Sequence, residues 1–217
     1  MEKKYCSLTF DDGPNLTTTL DMFSVLKKHG VKASFFVCGK NMDEKTRPVV
    51  KEIFDYGCTI ENHSFSHSHM TELSAEQIKN EFGETSARIK EITGRMPEFF
   101  RAPFIDADEK VFGSIPVPFI EGENCEDWLA EIDSGTRFNR ILSTISDGSI
   151  LLLHDFEGNQ ATVDCIDRLI PELKKRGFEF LTVPEIFIQF KVNPDRHGHQ
   201  WKNVRPAIKS QQIIFEN

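Results

Sequence analysis

Two adjacent carboxylates, Asp11 and Asp12, stand where an apolar run ends at Gly13-Pro14. Two imidazoles, His63 and His67, lie four residues apart in His63-Ser64-Phe65-Ser66-His67. A single helical turn would bring both rings to one side. One carboxylate and two imidazoles suffice for a divalent-metal site that keeps coordination positions open. The other carboxylate is then left over as a base. This is the skeleton of a metal hydrolase.

Further chemistry-bearing residues follow apolar runs. Arg101 follows Glu98-Phe99-Phe100, and His154 follows Ile150-Leu151-Leu152-Leu153. Each has a plainer reading when taken alone. Asp-Asp-Gly-Pro is also a turn sequence, the histidine pair also fits an exposed surface, and Arg101 could serve a structural ion pair. His154 could be a satisfied core histidine, and Asp127-Trp128 a loop with a packed aromatic. Their joint order and spacing weigh against those readings.

The elements that must position these groups alternate. Short apolar runs at 6–10, 33–38, 58–62, 98–101, 117–121, 149–154 and 179–182 read as strands. Amphipathic runs at 16–29, 44–56, 74–93, 106–112, 134–145, 160–175 and 184–190 read as helices. Gly30, Gly57, Gly94 and Gly177 follow helix ends as terminating glycines do. Ser74 with Gln77 reads as a capping box, and Pro184 suits a first helical turn. Repeated β-then-α units imply parallel strands with helical crossovers. The expected fold is an α/β (β/α) barrel with about seven parallel strands, possibly incomplete, with a flat doubly wound sheet as the alternative. In a barrel the strand C-terminal ends share one face, where Asp11, Asp12, His63, Arg101 and His154 would converge.

The 217 residues suit one domain over 1–190 with a polar C-terminal extension over 191–217. The formal net charge of -8 argues against non-specific nucleic-acid binding. The sequence holds no apolar run near the ~18 residues of a membrane helix. Five cysteines without CxxC spacing read as free thiols in a reducing compartment. Met1–Tyr5 shows no apolar signal segment, so the chain as it stands reads as cytoplasmic, or as extracellular if an export signal was trimmed. His69 could replace His67 as ligand, although the spacing favours His67. His29, before Gly30, suits a helix end, and His197 and His199 read as solvated.

In combination, Thr9-Phe10-Asp11-Asp12-Gly13-Pro14, His63-Ser64-x-x-His67, Arg101-Ala102-Pro103-Phe104, Asp127-Trp128 and Leu152-Leu153-His154-Asp155 resemble the polysaccharide deacetylase family. This is the NodB-homology domain of carbohydrate esterase family 4, and the likeness runs from about Ser7 to Phe190. The resemblance implies a distorted (β/α) barrel. It also implies that Asp12, His63 and His67 bind a divalent metal, usually Zn2+, with Co2+ or Ni2+ accepted. Asp11 would be the general base, and Arg101 would hold it ionised. His154 would be the general acid, tuned by Asp127. The Phe104 backbone N–H would help bind the oxyanion, Pro103 would belong to the substrate-binding set, and Trp128 and Leu152 would shape the pocket for the acetyl methyl. The implied partner is an acetylated carbohydrate and the implied reaction N-deacetylation. O-deacetylation of the acetylxylan kind is the near alternative, and a non-catalytic carbohydrate-binding protein a distant one. Ile105 stands where the family often has Gly, and Phe104 where it more often has Tyr. Phe119, Glu121 and Asn124 replace the usual residues ahead of Asp127-Trp128. These departures bear on specificity more than on activity.

Overall fold

The computed structural model describes residues 3–205. Eight strands appear: β1 (Lys4–Asp11), β2 (Ser34–Val37), β3 (Thr59–Asn62), β4 (Phe119–Ile120), β5 (Glu123–Asn124), β6 (Ser149–His154), β7 (Phe178–Phe180) and β8 (Gln200–Trp201). Seven α-helices accompany them: α1 (Thr18–His29), α2 (Arg47–Asp55), α3 (Ala75–Thr93), α4 (Glu109–Phe112), α5 (Ser134–Thr144), α6 (Gln160–Lys175) and α7 (Val183–Phe190). The main sheet runs β3-β2-β1-β6-β5, with β7 also pairing with β1, and β4 pairs with β8. All of these pairs are parallel.

The central strand β1 is buried without interruption from Cys6 to Asp11, as expected of a strand covered on both faces. Its register fixes the site. Asp11 lies opposite Phe36 of β2 and His154 of β6. Val37 lies opposite Asn62, so His63 emerges at the same rim. The backbone N–H of Arg101 donates to the Asn62 carbonyl at 3.1 Å, which brings the arginine to that rim as well.

The helix signals act as their chemistry dictates. Gly30 and Gly94 end α1 and α3 in the left-handed conformation, and Ser74 and Gln77 form the reciprocal capping box of α3. Several expected spans are shorter. The 98–101 run forms no strand; only Phe100 bridges, to Asn62 and Phe119. The reason is Glu61, whose carboxylate accepts the N–H groups of both Glu98 and Phe99 and replaces a ladder. The 117–121 run shrinks to β4 because Pro116 and Pro118 have no N–H to give. Helix α4 starts three residues late, at Glu109, preceded by Asp108, whose carboxylate accepts the Val111 N–H. The two-residue strands β5 and β8 were not expected.

Strand β8 lies within the 191–217 extension, of which 206–217 lie outside the described residues. The N–H groups of Glu121 and Gly122 donate to the Trp201 carbonyl, and Ile150 N–H donates to the Lys202 carbonyl at 3.1 Å. The segment thus fills the gap between β4 and β6 and completes the wall of an irregular barrel. Trp201 is buried, packs edge-on against Phe187 at 5.1 Å and donates its indole N–H to the Pro194 carbonyl. Trp201→Ala is therefore expected to destabilise the fold by about 3–5 kcal/mol. Urea unfolding of the variant checks this, and an unchanged midpoint contradicts it.

Candidate active site

Asp12 follows β1 with φ 76°, a left-handed conformation that Asp tolerates better than most residues. Its Oδ1 lies 3.1 Å from His67 Nε2 and 3.5 Å from His63 Nε2. The three ligand atoms all lie within 4.8 Å of one another. Burial opposes ionisation of Asp12, but the two imidazoles beside it hold its pKa well below the ordinary carboxylate range. Asp12 Oδ1 is also buried without a hydrogen-bond donor, an orphaned acceptor that suits a cation. His63 Nδ1 sits 2.8 Å from the Arg101 carbonyl and donates to it, which turns Nε2 toward Asp12. The donor set and its second contacts therefore fit a divalent metal.

The histidine pair converges by a route other than a helical turn. Ser64 and His67 both have positive φ, 62° and 63°. The loop is shaped instead by acceptors on its neighbours. Glu81 Oε2, on α3, accepts the N–H groups of Phe65 and Ser66 at 2.8 and 2.7 Å. Asn62 Oδ1 accepts that of Ser64 at 2.8 Å. Sequence reasoning missed Glu81, because nothing local to it signals a partner fifteen residues away. His69 stays outside the triad, stacked on Phe104 and 3.3 Å from Asp106. Phe65 packs under the Arg88 guanidinium at 4.9 Å.

Asp11 is buried beside the triad, and its Oδ1 accepts a 2.5 Å hydrogen bond from Arg101 Nη1. Arg101 is wholly buried under the Phe36 ring. Burial lowers its pKa, which the Asp11 charge opposes. Gly122, at φ 90°, makes room for it: a Cβ there would stand 2.9 Å from Leu152 Cβ and 3.1 Å from Arg101 Nη2.

On the other flank, Asp127 Oδ1 lies 2.8 Å from His154 Nδ1, and Asp127 Oδ2 accepts the His154 backbone N–H at 2.8 Å. The imidazole thereby keeps a proton on Nδ1 and leaves Nε2 as the other proton-transfer atom. Burial pulls the His154 pKa down, but the hydrogen bond and charge of Asp127, with Asp11 and Asp12 beyond, raise it to about 9.

Asp11, His154, Phe104, Ile105, Trp128 and Leu152 are among the residues lining a cavity of about 370 Å³ next to the triad. Phe104 and Trp128 stand at its mouth, 58% and 43% exposed, and Trp128 meets His154 edge-on. Pro103 is buried and opens the short turn that presents Phe104 and Ile105; it is not part of the cavity lining. Asp12 and His67 also border a second cavity of about 580 Å³, reaching past Asn15, Lys40 and Phe156. The two together flank the triad.

Residues 1–115 match the family model Polysaccharide deacetylase. The chain is 33% identical over 195 residues to a peptidoglycan-N-acetylglucosamine deacetylase of Bacillus cereus, covering 85% of this chain and 69% of that protein. It is 39% identical over 203 residues to a bifunctional xylanase/deacetylase of Pseudobutyrivibrio xylanivorans, covering 94% of this chain but only 34% of that protein. Among solved structures, a family 4 acetyl xylan esterase from Clostridium thermocellum, in complex with a cobalt ion, superposes with a TM-score of 0.89 at 33% identity. That likeness covers 93% of this chain and 99% of the other. The chain belongs to the polysaccharide deacetylase family, and its parallel α/β barrel is the fold of that family.

Proposed function

We propose that the protein removes N-acetyl groups from an acetylated amino sugar, oligosaccharide or polysaccharide. The observation that carries this is the placement of two charge pairs, Arg101–Asp11 and Asp127–His154, beside one Asp-His-His triad. A divalent ion held by Asp12, His63 and His67, zinc first with cobalt or nickel as alternatives, would polarise the acyl carbonyl and acidify water there. Asp11, ion-paired with and oriented by Arg101, takes the proton of the attacking water. The Phe104 backbone N–H stabilises the developing oxyanion. His154, kept protonated by Asp127, gives a proton to the departing nitrogen. Trp128 and Leu152 flank the acetyl methyl, and the second cavity leaves room for a neighbouring sugar.

An amine is a poor leaving group, so His154→Ala is expected to lower amide turnover by about 10²–10⁴-fold. An activated acetyl ester should suffer far less. Equal losses on both substrates contradict the acid assignment. The protonated imidazole is present below its raised pKa and lost above it. Amide turnover in the native protein is therefore expected to fall as pH rises through about 9.

The same machinery can expel an alcohol. The similarity to an acetyl xylan esterase and to a xylanase/deacetylase supports O-deacetylation as a second reading. Acetate release from chitooligosaccharides against acetylated xylan discriminates them: preference for the former supports the N-deacetylase, preference for the latter the esterase. Retention of base, arginine and acid beside the triad counts against a purely binding role.

A further inference from the structure

We propose that Arg137 is a positioning residue for the acid arm of the site, an inference that rests on His154 acting as the acid. Arg137 lies in the first turn of α5 and is 2% exposed, so its charge is held in the interior. Its Nη1 donates to Asn159 Oδ1 at 2.6 Å and to Thr162 Oγ1 at 2.7 Å. Its Nε and Nη2 donate to the carbonyls of Ile132 and Leu129, at 2.7 and 3.2 Å.

Each partner leads back to the acid. Thr162 Oγ1 accepts from Arg137, so its own proton is free to point at Asp127 Oδ2, 2.8 Å away. Asn159 turns its Oδ1 to Arg137 and its Nδ2 to the His154 carbonyl at 2.9 Å, with Asp127 Oδ2 at 3.5 Å. Leu129 and Ile132 belong to the loop that carries Asp127 and Trp128. One guanidinium thus ties three parts of the fold: that loop, the start of α6 and the end of β6. It fixes the polarity of both side-chain donors that reach Asp127 Oδ2, the oxygen that the His154 backbone N–H also reaches. Asp127 then offers Oδ1 to His154 Nδ1 in a single orientation. A lysine could supply the charge but not this fork.

This role separates from general stabilisation by its dependence on His154. The experiment uses metal-replete protein, a chitooligosaccharide as amide and 4-nitrophenyl acetate as activated ester. In Arg137→Met, kcat on the amide is expected to fall about a hundredfold, the scale of a misplaced catalytic group, with KM nearly unchanged and the ester rate little affected. Arg137→Lys should recover part of the loss. In a His154→Ala background, Arg137→Met should cost nothing more. Thr162→Val, which cuts one link and leaves the charge in place, should show the same amide-selective loss in smaller measure. It serves as the decisive variant if Arg137→Met does not fold. Equal losses on amide and ester, or a full additional loss in the His154→Ala background, would overturn the inference. If His154→Ala itself shows no difference between amide and ester, the acid assignment fails and this inference with it. If His154→Ala shows the difference and the Arg137 and Thr162 variants do not, only this inference fails.

Discussion

Asp11→Asn is expected to abolish turnover while leaving metal bound. Asn keeps the shape of the side chain and an oxygen for the 2.5 Å contact with Arg101 Nη1. It cannot take a proton from water. The direct loss is that of a general base, about 10²–10⁴-fold. A second consequence follows from burial. Arg101 is wholly buried, and Asp11 is its carboxylate partner among the described residues. Removing one charge of such a pair costs about 3–5 kcal/mol, since the other is left uncompensated. The variant should therefore unfold earlier while binding metal as before. Metal content, thermal unfolding and acetate release on one preparation check all three points, and a rate near that of the native protein excludes Asp11 as the base.

Asp12→Ala should have the opposite signature, losing metal and activity together. Two imidazoles remain, but the charged ligand is gone, and a divalent site of two neutral nitrogens is weak. Asp12 Oδ1 has no protein donor, so its removal breaks no hydrogen bond at that atom. Ala at φ 76° adds a backbone cost of about 1–2 kcal/mol, which is small beside the effect on metal affinity. Elemental analysis after gel filtration reads the outcome. Full occupancy with full activity refutes Asp12 as a ligand.

The parts of the fold that could be read from the sequence are those set by local chemistry. The apolar run Ile150-Leu151-Leu152-Leu153 of β6 and the apolar Cys6, Leu8 and Phe10 of β1 identify central strands, and the reciprocal Ser74–Gln77 cap marks the start of α3. Because each polar residue follows such a run, convergence at one rim could be inferred before any distance was known. What could not be read depends on side chains acting across the fold. The 98–101 segment looks like a strand, but a carboxylate at Glu61 takes two of its donors, the N–H groups of Glu98 and Phe99. The four-residue spacing of His63 and His67 brings two imidazoles together, yet the geometry comes from positive φ angles held by Glu81 and Asn62, not from a helix. Strands β5 and β8 span two residues each, too short for any periodic signal. Arg137 looks like an ordinary helix-face residue, since Asn159 and Thr162 lie 22 and 25 residues further along.

One divalent ion, held by Asp12, His63 and His67, is expected to drive deacetylation. The most direct measurement is acetate release from a chitooligosaccharide and an acetylated xylan by chelator-treated protein, titrated with zinc and separately with cobalt. The chelated protein should be inactive. Activity on at least one substrate should rise linearly with added metal and level off at one ion per chain. Undiminished acetate release without metal, or failure to release acetate from either substrate at one bound ion per chain, would contradict this role of the ion.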